Sequence, residues 1–181
     1  MAKRLTQDLV RDQLEELGFE LPHVSQIQAV VKNTFRWARA SRSGVVEFSG
    51  AVAKKPDDSV YTGRLGIEDE NDPEYITLEE AQKAAENSAY QLLCQFHRVV
   101  GGDWDRFERI LKLRSMTKST DGFGGQPLVA NGATNLFKEV LGLRGEHARC
   151  AFGTNSDPAE TTFELEATVD INVEGLDLDT I

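Results

Sequence analysis

The chain has 181 residues, 40% of them hydrophobic and 28% charged, enough for one globular domain with a substantial core. Its formal net charge is −10, with 30 acidic and 20 basic side chains. Phosphate backbones and anionic membranes are bound by neutralising their charge, so both are disfavoured as partners, whereas a small anion met by one local Arg is allowed.

The N-terminal stretch MAKRLTQDLVRDQLEELG is charged throughout, so neither a signal peptide nor a bilayer span is expected, and the setting is cytosolic. Residues 6–17 suit a short amphipathic helix capped by Thr6, with Val10, Leu14 and Leu17 on one face and Gly18 closing it. Residues 20–27 read as a linker. Segments 28–40 and 45–53 are rich in β-branched and aromatic residues around SRSG, which predicts a hairpin. Residues 54–76 form an extended loop with one short strand near VYTGRLG. Within it, EDENDPE at 68–74 is a solvated acidic stretch.

At Thr77 the run T-L-E-E is a capping box, and Ala81, Ala85, Leu92, Phe96 and Val99 continue one apolar helix face to Gly101. Residues 107–118 predict a strand and 133–141 a helix closed by Gly142. Residues 148–154 and 161–171 predict the last two strands. In FELEATVDI, Phe163, Leu165, Ala167, Val169 and Ile171 alternate with polar residues, so one face is buried and the other carries Glu164, Glu166 and Asp170. The pattern is α+β: a mixed β-sheet with two main helices packed on one face and an extra N-terminal helix. The other sheet face meets water or another subunit.

TNSDPAE, between the last two strands, is rich in turn formers. A hairpin symmetric about Ser156 and Asp157 would set Arg149 opposite Glu164 on the polar face. That pair is either a surface ion pair, worth under about 1 kcal/mol, or a site in which Arg149 grips a carboxylate and Glu164 handles a water. Cys150 would face away from Arg149. Cys94 and Cys150 imply no disulfide framework. His23, His97 and His147 stand far apart without Cys or carboxylates at ligand spacing, so no metal site is read. The phosphate-loop, dinucleotide, serine-elbow and zinc-helix signatures do not occur. His147 suits a structural role, Cys150 a place in the core, and Trp37 and Trp104 core or interface anchors.

Seven stretches together resemble the Rid family (YjgF, or endoribonuclease L-PSP), in its chorismate-mutase-like branch. They are F-S-G at 48–50, G-R-L-G at 63–66, T-L-E-E-A-Q-K-A-A from 77, G-G-D-W-D-R-F at 101–107, N-G-A-T-N-L-F-K-E-V-L-G at 131–142, G-E-H-A-R-C-A-F-G at 145–153 and F-E-L-E-A at 163–167. The resemblance covers about residues 28–171. It divides the chain into an N-terminal helical extension (1–25), a Rid-like domain (26–173) and a C-terminal tail (174–181). It implies a homotrimer with a cleft between each pair of subunits, no cofactor and no metal. The implied activity is hydrolytic deamination of small 2-imino or 2-enamino acids to 2-keto acids and ammonia. The resemblance makes Arg149 and Glu164 the catalytic pair, with Ser49 and Asn131 joining Arg149 in holding the substrate. A trimeric binder of small keto or amino acids without turnover is the alternative, and a ribonuclease ranks last on charge. The sequence departs from the family's pattern where LPHVSQ (21–26) replaces a segment carrying a cleft Tyr, where Ala151 stands two positions after Arg149 in place of a Cys some members carry, and where D-P-A-E replaces L-P before the final strand.

Overall fold

A computed structural model describes residues 5–28, 30–31, 35–55 and 57–181. Helix α1 (Gln7–Glu16) starts where the Thr6 hydroxyl accepts from the Leu9 N–H, and it buries Val10 and Leu14. The link that follows holds one short 3₁₀ turn at Val24–Gln26. Strands β1 (Val30–Val31) and β2 (Phe35–Arg36) pair as a small ribbon. Strands β3 (Ala38–Ala40) and β4 (Val45–Val52) make the expected hairpin, with Ala38 opposite Phe48. Segment 28–40 is thus several short pieces, and residues 29 and 32–34 lie outside the described residues. The loop to residue 76 has isolated bridges in place of a regular strand, among them Thr62 to Thr161 and Leu65 to Ser119.

Helix α2 (Leu78–Val99) follows the capping box as read: Thr77 accepts from the Glu80 N–H, and Glu80 accepts from the Thr77 N–H. Strand β5 (Phe107–Lys118), the short helix α3 (Gln126–Val129), helix α4 (Asn131–Leu141), strand β6 (Ala148–Thr154) and strand β7 (Phe163–Ile171) complete the chain. The five-stranded sheet has the order β3-β4-β7-β5-β6. Neighbours are antiparallel except β5 and β6, which run parallel. A parallel pair needs a crossover, and α3 with α4 supplies it.

The fold is α+β, with one mixed sheet carrying α2 and α4 on a single face. Phe96 of α2 lies at the centre of the core, 4.7 Å from Phe48, 5.3 Å from Phe107 and 5.9 Å from Phe137 between ring centroids. Burying each such ring stabilises by about 1.5–3 kcal/mol. Helices α2 and α4 close tightly because Gly132 has no side chain: a Cβ there would lie 2.0 Å from the Gln82 carbonyl oxygen. Trp104 is buried, and its indole N–H donates to His97 Nδ1 at 3.0 Å. Trp37 is half-buried against the core. Among the described residues no helix is long and apolar enough to cross a membrane.

The expected β6–β7 hairpin does not form. Strand β5 lies between the two, pairing Leu113 with Arg149 on one side and with Ala167 on the other. The central place of β7, between β4 and β5, explains its strict alternation. One of its faces meets the helices and the other stays half-open.

Candidate functional site

Alternation along β5 sorts the two candidate charges. Leu113, Ser115 and Thr117 are buried on the helix side, whereas Lys112 is exposed and Arg114 and Met116 half-buried on the open side. Arg149 pairs with Leu113, so it faces the helices. Glu164 pairs with Met116 and Val52, so it stands on the open face. The two therefore project from opposite faces of one sheet, two strand spacings and about three residues apart, roughly 14 Å between Cα atoms. This corrects the cross-strand pairing read from the sequence. The physical reason is that β5 occupies the edge of β7 that the hairpin would have used.

Arg149 reaches the junction of α3 and α4. One terminal nitrogen donates to Asn131 Oδ1 at 3.1 Å and to Thr134 Oγ1 at 2.8 Å, and the other donates to the Pro127 carbonyl at 3.1 Å. All three acceptors are neutral. Among the described residues no carboxylate lies within ion-pair distance of this partly exposed guanidinium. Asn131 and Thr134 project together because they sit three residues apart at the start of α4. Asn131 thus lies against Arg149 and accepts from it through its side-chain oxygen.

His147 locks this arrangement from behind. Its Nδ1 lies 2.7 Å from the Gly145 carbonyl and its Nε2 3.2 Å from Thr134 Oγ1. Hydrogen bonding satisfies every group when Nδ1–H donates to Gly145, and the Thr134 hydroxyl donates to Nε2 while accepting from Arg149. The imidazole must then be neutral. Burial, with Arg149 and Lys138 nearby, holds its pKa below the ordinary histidine value. His147 thus has the structural role read from the sequence, directed at the guanidinium. Cys150 projects to the face opposite Arg149, with its Sγ 3.9 Å from the Leu113 carbonyl, and is half-buried rather than in the core.

On the open face Glu164 sits over Gly50. A Cβ on Gly50 would lie 1.8 Å from Glu164 Oε1, so the bare glycine makes the space that this carboxylate fills. The F-S-G stretch forms a bulge there, where the β4–β7 register shifts between Phe48 and Ala51. Among the described residues Glu164 makes no hydrogen bond or ion pair. Burial pushes its pKa up, with Asp157 and Glu166 adding to the effect. An accessible, unpartnered carboxylate with a raised pKa is equipped for proton transfer. Ser49 is not aimed at it: its hydroxyl donates to the Arg36 carbonyl at 2.9 Å. Glu166 makes an open-face ion pair with Arg114 at 3.6 Å. Among the described residues no three His, Cys, Asp or Glu side chains could hold a metal ion.

No protein-family model matches the chain. It is 33% identical to Protein TCP17 of Trypanosoma cruzi over 161 residues, 88% of this chain and 92% of that protein. The crystal structure of protein Atu1372 of Agrobacterium tumefaciens, described as of unknown function, is similar at a TM-score of 0.78 and 31% identity, covering 92% of this chain and 96% of its own. A putative endoribonuclease from Shewanella oneidensis has a TM-score of 0.75 at 19% identity, over 92% of this chain and 99% of its own. The chain belongs to one family with TCP17 and Atu1372, and its fold is the Rid fold.

This Rid-fold chain carries further groups near Glu164 that the sequence reading passed over. Lys118 is 3% exposed, and its ammonium lies 2.7 Å from both Glu74 and Glu160. Glu160, one of these two acids, and its neighbour Ala159 both have positive φ, a conformation non-glycine residues rarely adopt. Asp157 accepts from Thr154 Oγ1 at 2.7 Å, and burial raises its pKa. Phe152 is 45% exposed on the open face, one strand beyond Met116 in the cross-strand row of Glu164. The i to i+3 spacing of Asn131 and Thr134 was a readable signal for the Arg149 cradle. Lys118 gave none, because a lysine in a strand reads as solvated until the loops that cover it are placed.

Proposed function

We propose that the protein hydrolyses small 2-imino or 2-enamino acids to 2-keto acids and ammonia, in clefts between the subunits of a homotrimer. The observation that carries this reading is Arg149: a guanidinium held in place by three neutral acceptors, with no acid among the described residues against it. Such a group retains its charge for an organic carboxylate. Arg149 and Glu164 stand on opposite sheet faces, so one chain cannot bring both to one small molecule. The reading therefore joins Arg149 of one protomer with Glu164 of its neighbour.

In this site Arg149 orients the substrate by its carboxylate, and Asn131 orients Arg149. Glu164 takes a proton from a water as the water oxygen bonds to the iminium carbon, giving a tetrahedral aminoalcohol. The same carboxyl then returns the proton to the nitrogen. The hydroxyl then gives its proton to the Glu164 carboxylate as the C–N bond breaks, leaving the keto acid and ammonia. Holding electrophile and water together supplies most of the acceleration, and the base adds a factor of about 10²–10⁴. Ser49, with its hydroxyl occupied by Arg36, contributes through the bulge it shares with Gly50.

The test mixes purified protein with a 2-imino acid generated in place by an amino-acid oxidase and follows keto-acid release. Hydrolysis above buffer, lost in Arg149→Ala and Glu164→Gln, is expected, along with a trimer's mass by light scattering. A rate no higher than buffer would sink the reading. The wide separation of Arg149 and Glu164 in one chain also favours a second reading, a trimeric binder of small keto or amino acids that needs only Arg149. Calorimetric binding of pyruvate without turnover would select it. A ribonuclease remains disfavoured by the net charge of −10.

A further inference from the structure

A groove of about 570 Å³ opens between the turn after α1, the loop after β4 and α2, and neither Arg149 nor Glu164 lines it. Its walls carry three aromatic rings, and the acids Glu20 and Asp58 also line it. Phe19 and Tyr90 stack with centroids 4.6 Å apart, and Tyr61 adds a third ring. Three lysines also line it, in a chain whose net charge is −10. Lys55 Nζ lies 5.2 Å from the Tyr61 centroid, and Lys83 Nζ lies 5.5 Å from that of Phe19. Lys83 is bound to Glu86, and Lys54 stands 3.5 Å from Asp58. Lys55 has no carboxylate within ion-pair distance among the described residues.

The groove also presents polar groups with capacity left over. Asn87 is 5% exposed, and its amide N–H groups donate to the Tyr61 hydroxyl at 3.3 Å and the Lys83 carbonyl at 2.9 Å. The proton of the Tyr61 hydroxyl finds no acceptor among the described residues. Gln91 donates to the Val52 carbonyl at 2.6 Å, which leaves its side-chain oxygen free to accept. Ring faces, ammonium groups and a spare hydroxyl proton in one concavity suit a planar apolar body that ends in an anion. Inorganic phosphate would use the lysines and leave the rings wet. A neutral ring would use the walls and leave Lys55 unpaired.

We infer that this groove is a second ligand site, taking a small aromatic carboxylate with its ring against Tyr61 and the Phe19–Tyr90 stack and its carboxylate toward Lys55 and the Tyr61 hydroxyl. The site is independent of the proposed hydrolysis. The test is a titration of the full chain with sodium benzoate, followed by amide nuclear magnetic resonance. Benzamide, acetate and inorganic phosphate serve as comparisons. Saturable shifts at Tyr61, Lys83, Asn87 and Tyr90 are expected with benzoate, with affinity at least about tenfold weaker for the three comparisons. Lys55 is exposed, so Lys55→Glu should fold normally and cut benzoate affinity about tenfold or more. Arg149→Ala should leave benzoate binding unchanged, which separates this site from the proposed catalytic one. The inference is overturned by no saturation up to about 20 mM benzoate, by benzamide binding as well as benzoate, by Lys55→Glu binding as wild type, or by loss of binding in Arg149→Ala.

Discussion

Gly50→Ala tests whether the carboxylate of Glu164 is where the structure puts it. The added Cβ would lie 1.8 Å from Oε1, 2.7 Å from Cδ and 3.1 Å from Cγ of Glu164. All three contacts are with one flexible side chain, so the backbone need not move. Gly50 does not have positive φ, so alanine fits the local conformation. Forcing Glu164 off its rotamer costs about 0.5–1.5 kcal/mol. Replacing a strand glycine recovers about 0.5–1 kcal/mol. These nearly cancel, so unfolding free energy should change by less than about 1 kcal/mol. The carboxylate, however, must leave its half-buried niche for water. Its pKa should fall back toward the ordinary glutamate value, and imine hydrolysis should drop by about 10²-fold or more, as for a lost base. Urea unfolding, carboxyl carbon titration by nuclear magnetic resonance and the imine assay read these three effects. A stability loss of about 3 kcal/mol with an unchanged Glu164 titration would refute the reasoning, since the glycine would then serve the backbone and not the carboxylate.

Glu164→Gln should stabilise the fold at neutral pH. A carboxyl raised in the folded state binds more protons there than in the unfolded chain, so its contribution falls as pH rises through the folded pKa. The advantage of Gln should vanish in acid, where Glu164 is itself protonated, and thermal melts across pH 3–8 would show this. Gly132→Ala puts a Cβ 2.0 Å from the Gln82 carbonyl and 2.8 Å from its carbon, both backbone of α2. That substitution should cost about 2–3 kcal/mol, measured by urea unfolding. His97 is buried and accepts from Trp104, so it must stay neutral, and burial lowers its pKa, as it does for His147. The unfolded chain then binds more protons below the ordinary histidine value of about 6.5. Stability should fall as pH drops from about 7 to 5, and His97→Gln should show a shallower slope whatever its absolute stability.

Local chemistry determined much of this protein before any tertiary contact was known. Thr77 and Glu80 set the start of α2 because a capping box is satisfied within four residues. The alternation from Phe163 to Ile171 sorted one strand into a buried and a polar face, because side chains alternate along any strand. The same alternation sent Cys150 away from Arg149. The resemblance grouped Asn131 with Arg149 as residues that hold the substrate, and the structure hydrogen-bonds the two to each other.

Strand order belongs to the tertiary structure. The link TNSDPAE has the composition of a tight turn, yet β5 takes the edge of β7 that a hairpin would use. Which strand fills an edge depends on burial across the whole sheet, and no local signal reports it. That placement puts Arg149 among the helices and Glu164 on the open face. It also buries Lys118 between two acids from distant loops and covers Gly50 with a carboxylate from another strand. Each is a contact between residues remote in sequence, settled by packing rather than by neighbours along the chain.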